Sequence, residues 1–186
     1  EETGAFDLTD VLTGICQKLI SRHTHVFGND KAESESGALS VWEKNKMAEK
    51  HQTTFADAVN DVPKCFPAAM RAQKVGKRAA KGGLDFADAA AAAERLHAEL
   101  QEFFAAYNAG DKEGAEKEIG DVLFAAVSVG RKAGCDCEKA LKESVDRFAA
   151  RFTKAEALAL ADGKIVTELS DAEWDEYYKK AKKALQ

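Results

Sequence analysis

Apolar residues recur at helical spacing along almost the whole chain. The first such stretch has apolar residues at positions 8, 11, 12, 15, 19 and 20, the three- and four-residue spacing of one helix face. Nowhere do Val, Ile and Thr alternate with polar residues over the length of a strand. Only 2 prolines and 13 glycines interrupt the 186 residues. The pattern therefore predicts an all-α fold.

Turn and capping residues divide this pattern into separate helices. The predicted ranges are 8–23, 41–59, 68–81, from a cap at Asp85 or Asp88 to 108, 112–133, from a cap at Asp136 to 161, and from a capping box at Ser170 to the basic tail. Residues 29–40 are polar and are expected to form an exposed linker or loop. Because the turn at 108–111 is short, the helices on either side of it are expected to be antiparallel.

Charge and composition restrict the possible functions. With 27 basic and 32 acidic residues the net charge is −5, which leaves no broad basic surface for DNA. Phosphate chemistry would then depend on a few placed cations or on a metal ion. No apolar run reaches the ~18 residues of a membrane span and no signal peptide is apparent, so we expect a cytoplasmic protein. The 4 cysteines lack zinc-ligand spacing and are expected to be reduced thiols.

Four acidic residues form the strongest candidate site. Glu99 and Glu102 are three apart on one predicted helix, and Glu118 and Asp121 are three apart on the next. Residues at this spacing share a helix face, so an antiparallel pair of helices can bring all four carboxylates together. Oxygen ligands without His or Cys favour Mg²⁺ or Mn²⁺. The alternative is an ordinary solvated helix face, but apolar residues interleave both pairs and favour a site.

A weak internal repeat is also visible. An offset of 129 residues aligns residues 7, 12, 18, 19 and 22 with similar residues at 136, 141, 147, 148 and 151. Two amphipathic helices can agree over this length by chance. If the repeat is real, residues 1–25 are the closing helix of an earlier copy.

The motifs together resemble the MazG family of nucleoside triphosphate pyrophosphohydrolases. The acidic residues match its metal motif, which is EExxE followed by ExxD, except that Ala98 replaces the first Glu. Further landmarks cover the rest of the chain in order: residues 22–28, 42–43, 62–63, 67–74, 147–152 and the terminal Tyr-Lys-Lys-Ala-Lys segment. Thr24 and Phe86 depart from the usual Pro and Trp.

The resemblance implies an antiparallel helical bundle that uses Mg²⁺ to hydrolyse nucleoside triphosphates between the α and β phosphorus atoms, with broad base tolerance. It divides the chain into residues 1–60, the closing helix of a preceding copy plus a linker, and residues 61–186, a catalytic domain. It implies metal ligation and catalysis by Glu99, Glu102, Glu118 and Asp121. It also implies a homodimer, buried along helices such as residues 103–107, whose sites are completed across the interface.

Several further residues are candidates for substrate binding. Arg147 and Arg151 are four apart on one helix face, and guanidinium groups bind phosphate oxygens bidentately. Lys117, beside Glu118, is a weaker candidate for the phosphates. The base and sugar are expected to contact members of a wider set: Arg71, Lys74, Phe86, Arg95 and Tyr178.

Two alternatives stay open. A catalytically silent helical dimer could bind nucleotide or a protein partner, with Ala98 as the mark of lost activity. The second alternative is a selective pyrimidine hydrolase of the same superfamily, such as a dUTP or dCTP pyrophosphatase. Mg²⁺ binding tests the first alternative, and a substrate profile tests the second.

Overall fold

The computed structural model describes residues 4–185, and the ordered elements in this part of the chain are all helical. The helices are α1 (Leu8–Arg22), α2 (Thr24–Phe27), α3 (Glu35–Glu49), α4 (Phe55–Asn60), α5 (Ala68–Lys81), α6 (Ala89–Asn108), α7 (Lys112–Lys132), α8 (Cys137–Ala161) and α9 (Asp171–Ala184), with a short 3₁₀ turn at Val166–Glu168. The predicted all-α class is confirmed. None of the helices in residues 4–185 has the length and apolarity that crossing a membrane requires.

Side-chain caps begin the helices where the sequence predicted them. Asp88 accepts a hydrogen bond from Ala91 N at 2.8 Å and begins α6, while Asp136 accepts one from Lys139 N at 3.0 Å and begins α8. Ser170 forms the predicted capping box at the start of α9. These caps satisfy backbone N–H groups that have no partner within the helix, which is why helix starts are readable from sequence.

The predictions for residues 29–59 were wrong at two places. The expected loop ends early because Ser34 accepts a hydrogen bond from Gly37 N at 3.1 Å and begins α3 at Glu35. The single helix expected over 41–59 is two, because His51 adopts a positive φ of 52° and breaks it. Thr54 then begins α4 with a capping box. The hydrogen bonds of the Ser34 and Thr54 side chains to nearby backbone N–H groups thus set where these helices begin, and the helical pattern over 41–59 did not reveal them.

The chain divides into two compact units: residues 4–62 with 78–84, and residues 63–77 with 85–185. In the first unit, buried Arg22 donates to both carboxylate oxygens of Glu49, at 2.8 and 3.0 Å, and lies over the Trp42 ring. Asn45 donates to Thr24 Oγ1 at 2.7 Å. The landmarks at 22–28 and 42–43 are therefore packed against one another in this unit.

The second unit is dominated by two helical hairpins. α6 and α7 pack along most of their length, and the short turn between them makes them antiparallel. α8 and α9 form the other hairpin, whose core consists of Ala155, Ala159, Tyr177 and Ala181. The small residues in both hairpins let the helix backbones approach closely. The helices of these hairpins are antiparallel, as predicted.

Gln73 of α5 joins three segments of the second unit. Its amide Nε2 donates to Cys135 O at 2.7 Å, and its Oε1 accepts from Cys137 N at 3.0 Å. In return, Glu138 of α8 accepts from Met70 N, in the first turn of α5, at 3.2 Å. Each helix thus supplies the acceptor for an unpaired N–H at the start of the other.

Candidate metal centre

The four candidate acids lie on the two helices of the α6–α7 hairpin. Glu99 and Glu102 belong to α6, and Glu118 and Asp121 belong to α7. Ala92 on α6, and Val122 and Ala125 on α7, are buried and lie close to these acids in sequence. The helix faces that carry the acids therefore lie along the contact between α6 and α7. The i,i+3 spacing therefore does bring acids from both helices together, as the helical pattern predicted.

Three of the four acids form a compact triad. One carboxylate oxygen each from Glu99, Glu102 and Glu118 lies within 4.8 Å of the other two. Oxygen ligands bind Mg²⁺ at ~2.1 Å, so ligands on opposite sides of the ion are about 4.2 Å apart. The three oxygens consequently fit one divalent cation with little movement. We call Glu99, Glu102 and Glu118 the acid triad.

Burial differs across the triad. The side chain of Glu99 is 8% exposed and that of Glu118 is 14% exposed, whereas that of Glu102 is 52% exposed. A carboxylate removed from water needs a cation or hydrogen-bond donors close by. The triad therefore has a buried end, at which cations must lie close to the carboxylates, and a solvent-exposed end at Glu102.

Two basic side chains neutralise these acids. Arg95 Nε lies 2.6 Å from Glu99 Oε1, and Arg95 Nη1 lies 3.7 Å from Glu102 Oε1. Lys117 Nζ lies 2.9 Å from Glu118 Oε1, and the hydrogen bond to that carboxylate raises the pKa of Lys117. Both cations were predicted to contact substrate; here both contact the acids themselves.

Asp121 lies outside the triad. Its side chain is half exposed, and Oδ2 is 4.0 Å from Lys117 Nζ, at the limit of an ion pair. As a member of the same face of α7, three residues after Glu118, it remains near enough in sequence to act as an outer ligand after a rotamer change. Its role as a ligand stays a prediction.

Of the predicted phosphate ligands, two lie on α8. Arg147 is exposed and lies 3.9 Å from Glu143, and Arg151 is partly buried four residues later. Neither forms a hydrogen bond or ion pair with the triad in residues 4–185. Tyr178, a candidate for the base, packs against Phe148 with ring centroids 6.0 Å apart.

The other candidates for the base lie in and after α5. Lys74 lies over the Phe66 ring and, with Met70 and Lys77, borders an open cavity of about 380 Å³. Arg71 is exposed, and Phe86 is partly buried in the turn before α6. The structure brings none of these side chains into hydrogen-bonding contact with the triad.

The sequence patterns did not predict the ion pairs that join the turn before α6 to the end of α7. Asp85 accepts from Arg131 Nη2 at 2.5 Å and from Lys132 Nζ at 3.2 Å, and the hydrogen bond from Arg131 is the main reason that the pKa of Asp85 is lowered. A Cβ at Gly76 would lie 3.0 Å from Arg131 Nε, so this glycine leaves room for the arginine. No spacing rule links residues so distant in sequence.

Known proteins resemble this chain over nearly its full length. A nucleoside triphosphate pyrophosphohydrolase of Escherichia coli K12 is 34% identical over 185 residues, which cover 98% of this chain and 70% of that protein. A Thermotoga maritima protein named nucleoside triphosphate pyrophosphohydrolase/pyrophosphatase MazG is 34% identical over 181 residues, 97% of this chain and 68% of the relative. The chain belongs to the MazG family of nucleoside triphosphate pyrophosphohydrolases.

No protein-family model matches the chain. The family is confirmed instead by these individual relatives, whose alignments cover nearly all of the chain. A Bacillus subtilis protein named uncharacterized protein YabN is 35% identical over 183 residues, but these make up only 37% of its length. The relatives from Escherichia coli and Thermotoga maritima are named as nucleoside triphosphate pyrophosphohydrolases, and these names confirm the predicted class of enzyme, a hydrolase of acid anhydrides. The proposed division at residue 60 stays a prediction.

Proposed function

We propose that this MazG-family chain is a Mg²⁺-dependent nucleoside triphosphate pyrophosphohydrolase that releases a nucleoside monophosphate and pyrophosphate. The observation that carries the proposal is the acid triad, whose three oxygens lie within 4.8 Å of one another in a chain of this family. Three like charges held this close repel one another, and a divalent cation would offset that repulsion beyond what Arg95 and Lys117 do.

The proposed metal ligands are the acid triad together with Asp121. When bound, Mg²⁺ neutralises the charge of the phosphates and lowers the pKa of a coordinated water. Glu99 and Glu118 are the more buried ligands and fix the position, whereas the exposed Glu102 faces the side from which a substrate enters. Ala98 removes one carboxylate of the family motif but leaves the triad whole.

The reaction needs a base as well as a metal. Water adds its oxygen to a phosphorus atom, the bridging P–O bond between the α and β phosphorus atoms breaks, and the water proton passes to a carboxylate. Glu102 and Glu118 are the two candidates for this acceptor, because each has an oxygen in the triad and neither is as closely paired as Glu99. Both products are anions that arginine can hold.

We propose that Arg147 and Arg151 bind the phosphates from a second copy of the chain. Residues 139–150 of α8 are all exposed, although Leu141, Val145 and Phe148 among them are large and apolar. Apolar patches of this kind mark interfaces between proteins. The proposal is that a homodimer buries this part of α8 and that these arginines then reach the partner's acid triad.

Broad base tolerance is the remaining part of the proposal. The residues proposed for the base and sugar are two aromatic rings, Phe86 and Tyr178, and the flexible cations Arg71, Lys74 and Arg95. Stacking on a ring discriminates poorly between bases, because every base offers an aromatic face. A strict pyrimidine hydrolase would need polar groups aimed at the base edge.

The deciding experiment is product analysis. We expect a mixed pool of ribo- and deoxynucleoside triphosphates to yield monophosphates and pyrophosphate with Mg²⁺ and nothing in excess chelator. Diphosphates and free phosphate would contradict α–β cleavage, and turnover of dUTP or dCTP alone would support the selective alternative. No turnover by a folded protein would favour the silent dimer.

A further inference from the structure

A basic side chain, Arg95, contacts the acid triad in the structure. Arg95 lies four residues before Glu99 on α6, and its guanidinium contacts two of the three triad carboxylates, at 2.6 Å to Glu99 and 3.7 Å to Glu102. We propose that Arg95 is the counter-ion of the metal-free triad, that a divalent cation must displace it, and that Arg95 thereby sets the metal affinity of this chain. This inference rests on the proposed metal site.

The first argument is the environment of Glu99. Its side chain is 8% exposed, so water can do little to stabilise its charge. Arg95 is the ion-pair partner of Glu99 in the structure, whereas Lys117 pairs with Glu118. Without Arg95 the buried carboxylate would face the other two acids with no cation beside it.

The second argument is that arginine and metal exclude one another. A guanidinium nitrogen 2.6 Å from Glu99 Oε1 occupies one of the directions from which a metal ion can approach that carboxylate at ~2.1 Å. Two positive charges at one carboxylate would also repel each other. Under the proposal, metal binding therefore breaks the Arg95–Glu99 ion pair.

The third argument is that Arg95 can leave. Its side chain is 51% exposed, so the guanidinium can rotate into water without disturbing the packing between α6 and α7. Once displaced, it stays within a side-chain length of the metal ligands, where the phosphates are expected. Arg95 is thus a positioning residue that acts on the substrate site through the metal.

Metal titration of the full chain without nucleotide tests this inference. We expect Arg95→Gln to bind Mn²⁺ about three- to tenfold more tightly than the original chain, as followed by the loss of the free Mn²⁺ signal in electron paramagnetic resonance. Arg95→Lys keeps the charge and should stay within about twofold. Lys179→Gln, which removes a charge from an exposed ion pair on α9, is the matched control and should change nothing.

Thermal unfolding supplies an independent reading. We expect Arg95→Gln to melt below the original chain without metal and to gain more from saturating Mg²⁺, since the ion then replaces the missing charge. If the original chain binds Mn²⁺ and Arg95→Gln binds it equally or more weakly, the inference is wrong. If Arg95→Gln does not fold, weaker Mn²⁺ binding by Arg95→Lys contradicts it. If no variant binds Mn²⁺, the proposed metal site itself is wrong.

Discussion

At the scale of single residues, burial separates acids of the same chemical type. Glu99 and Glu118 are largely shielded from water, while Glu102 and Asp121 are half exposed. A substitution at a shielded acid changes packing and hydrogen bonding between the helices as well as the charge of the site. Glu102 is therefore the position at which metal chemistry can be tested with the least effect on stability.

Glu102→Gln should lower Mg²⁺-dependent turnover by about a hundredfold or more, because an amide oxygen is a far weaker ligand for a hard cation than a carboxylate. The measurement is the steady-state rate over a Mg²⁺ series. Helicity by circular dichroism should not change. The matched control is Glu94→Gln, an exposed acid earlier on the same helix. Equal loss in both variants, or full activity in Glu102→Gln, would contradict the assignment.

Arg151→Ala should raise KM about tenfold or more with a smaller effect on kcat, because a hydrogen-bonded guanidinium is lost from the ground-state and transition-state complexes alike. Initial rates over a range of nucleoside triphosphate concentrations measure it. Lys154→Ala is the control, since Lys154 is an exposed cation one turn further along α8. An unchanged KM would remove Arg151 from the phosphate site.

At the scale of helices, local signals were the ones that could be predicted. Asp88, Asp136 and Ser170 cap helices through bonds to residues three positions on, which is why these starts were correct. The break after α3 also had a local signal, since Thr54 and Asp57 form a capping box. Continuous helical spacing from 41 to 59 concealed it.

Contacts over long sequence distances could not be predicted in the same way. The acids of the triad were found because helical spacing fixes which residues share a face. The bonds of Gln73 to residues 135 and 137 depend on tertiary packing and have no sequence pattern. The resemblance pointed to that segment of α5, but its central glutamine holds two helices together.

The capping box of α9 predicts a pH dependence. A hydrogen bond from the Ser170 backbone N–H, together with bonds from Lys164 and the Ser170 hydroxyl, lowers the pKa of Glu173 from 4.5 to about 2. Because the folded state holds the proton less tightly, ionised Glu173 stabilises the fold above about pH 4.5, and this contribution is lost as the pH falls toward about 2. Glu173→Gln keeps a capping oxygen but removes the charge.

We therefore expect Glu173→Gln to have a lower Tm than the original chain at pH 7, with a difference that narrows as the pH falls below about 4.5. Thermal unfolding between pH 7 and 3 measures it. Glu176→Gln, an exposed acid on the same helix, should show no such narrowing difference. A difference for Glu173→Gln that is constant with pH would show that charge has no part in the cap.

At the scale of the whole molecule, the described residues leave much apolar surface uncovered. Large apolar side chains that are more than half exposed occur on α6, α7 and α8, among them Phe104, Leu123 and Val145. The only large side chain of the described core that is fully buried is Val62. Pairing with another copy would bury part of this surface and so stabilise the chain.

Val145→Asp tests this association directly. Val145 is 57% exposed in the single chain, so an aspartate there costs the monomer little, whereas a charge in a dimer interface is expensive. In sedimentation equilibrium, we expect the original chain to form a dimer or larger species and Val145→Asp to dissociate at least tenfold more readily. Ala172→Asp places the same charge on an exposed residue of α9, outside the proposed interface on α8, and should leave the mass unchanged.

The same variant links assembly to activity. If Arg147 and Arg151 act on the partner's acid triad, Val145→Asp should lose turnover at concentrations where it is monomeric and regain it as the concentration approaches its dimer dissociation constant. Mn²⁺ binding should survive in the monomer, because the triad lies entirely on α6 and α7 of one chain. A fully active monomer would place the phosphate-binding cations within a single copy and make the dimer unnecessary for the reaction.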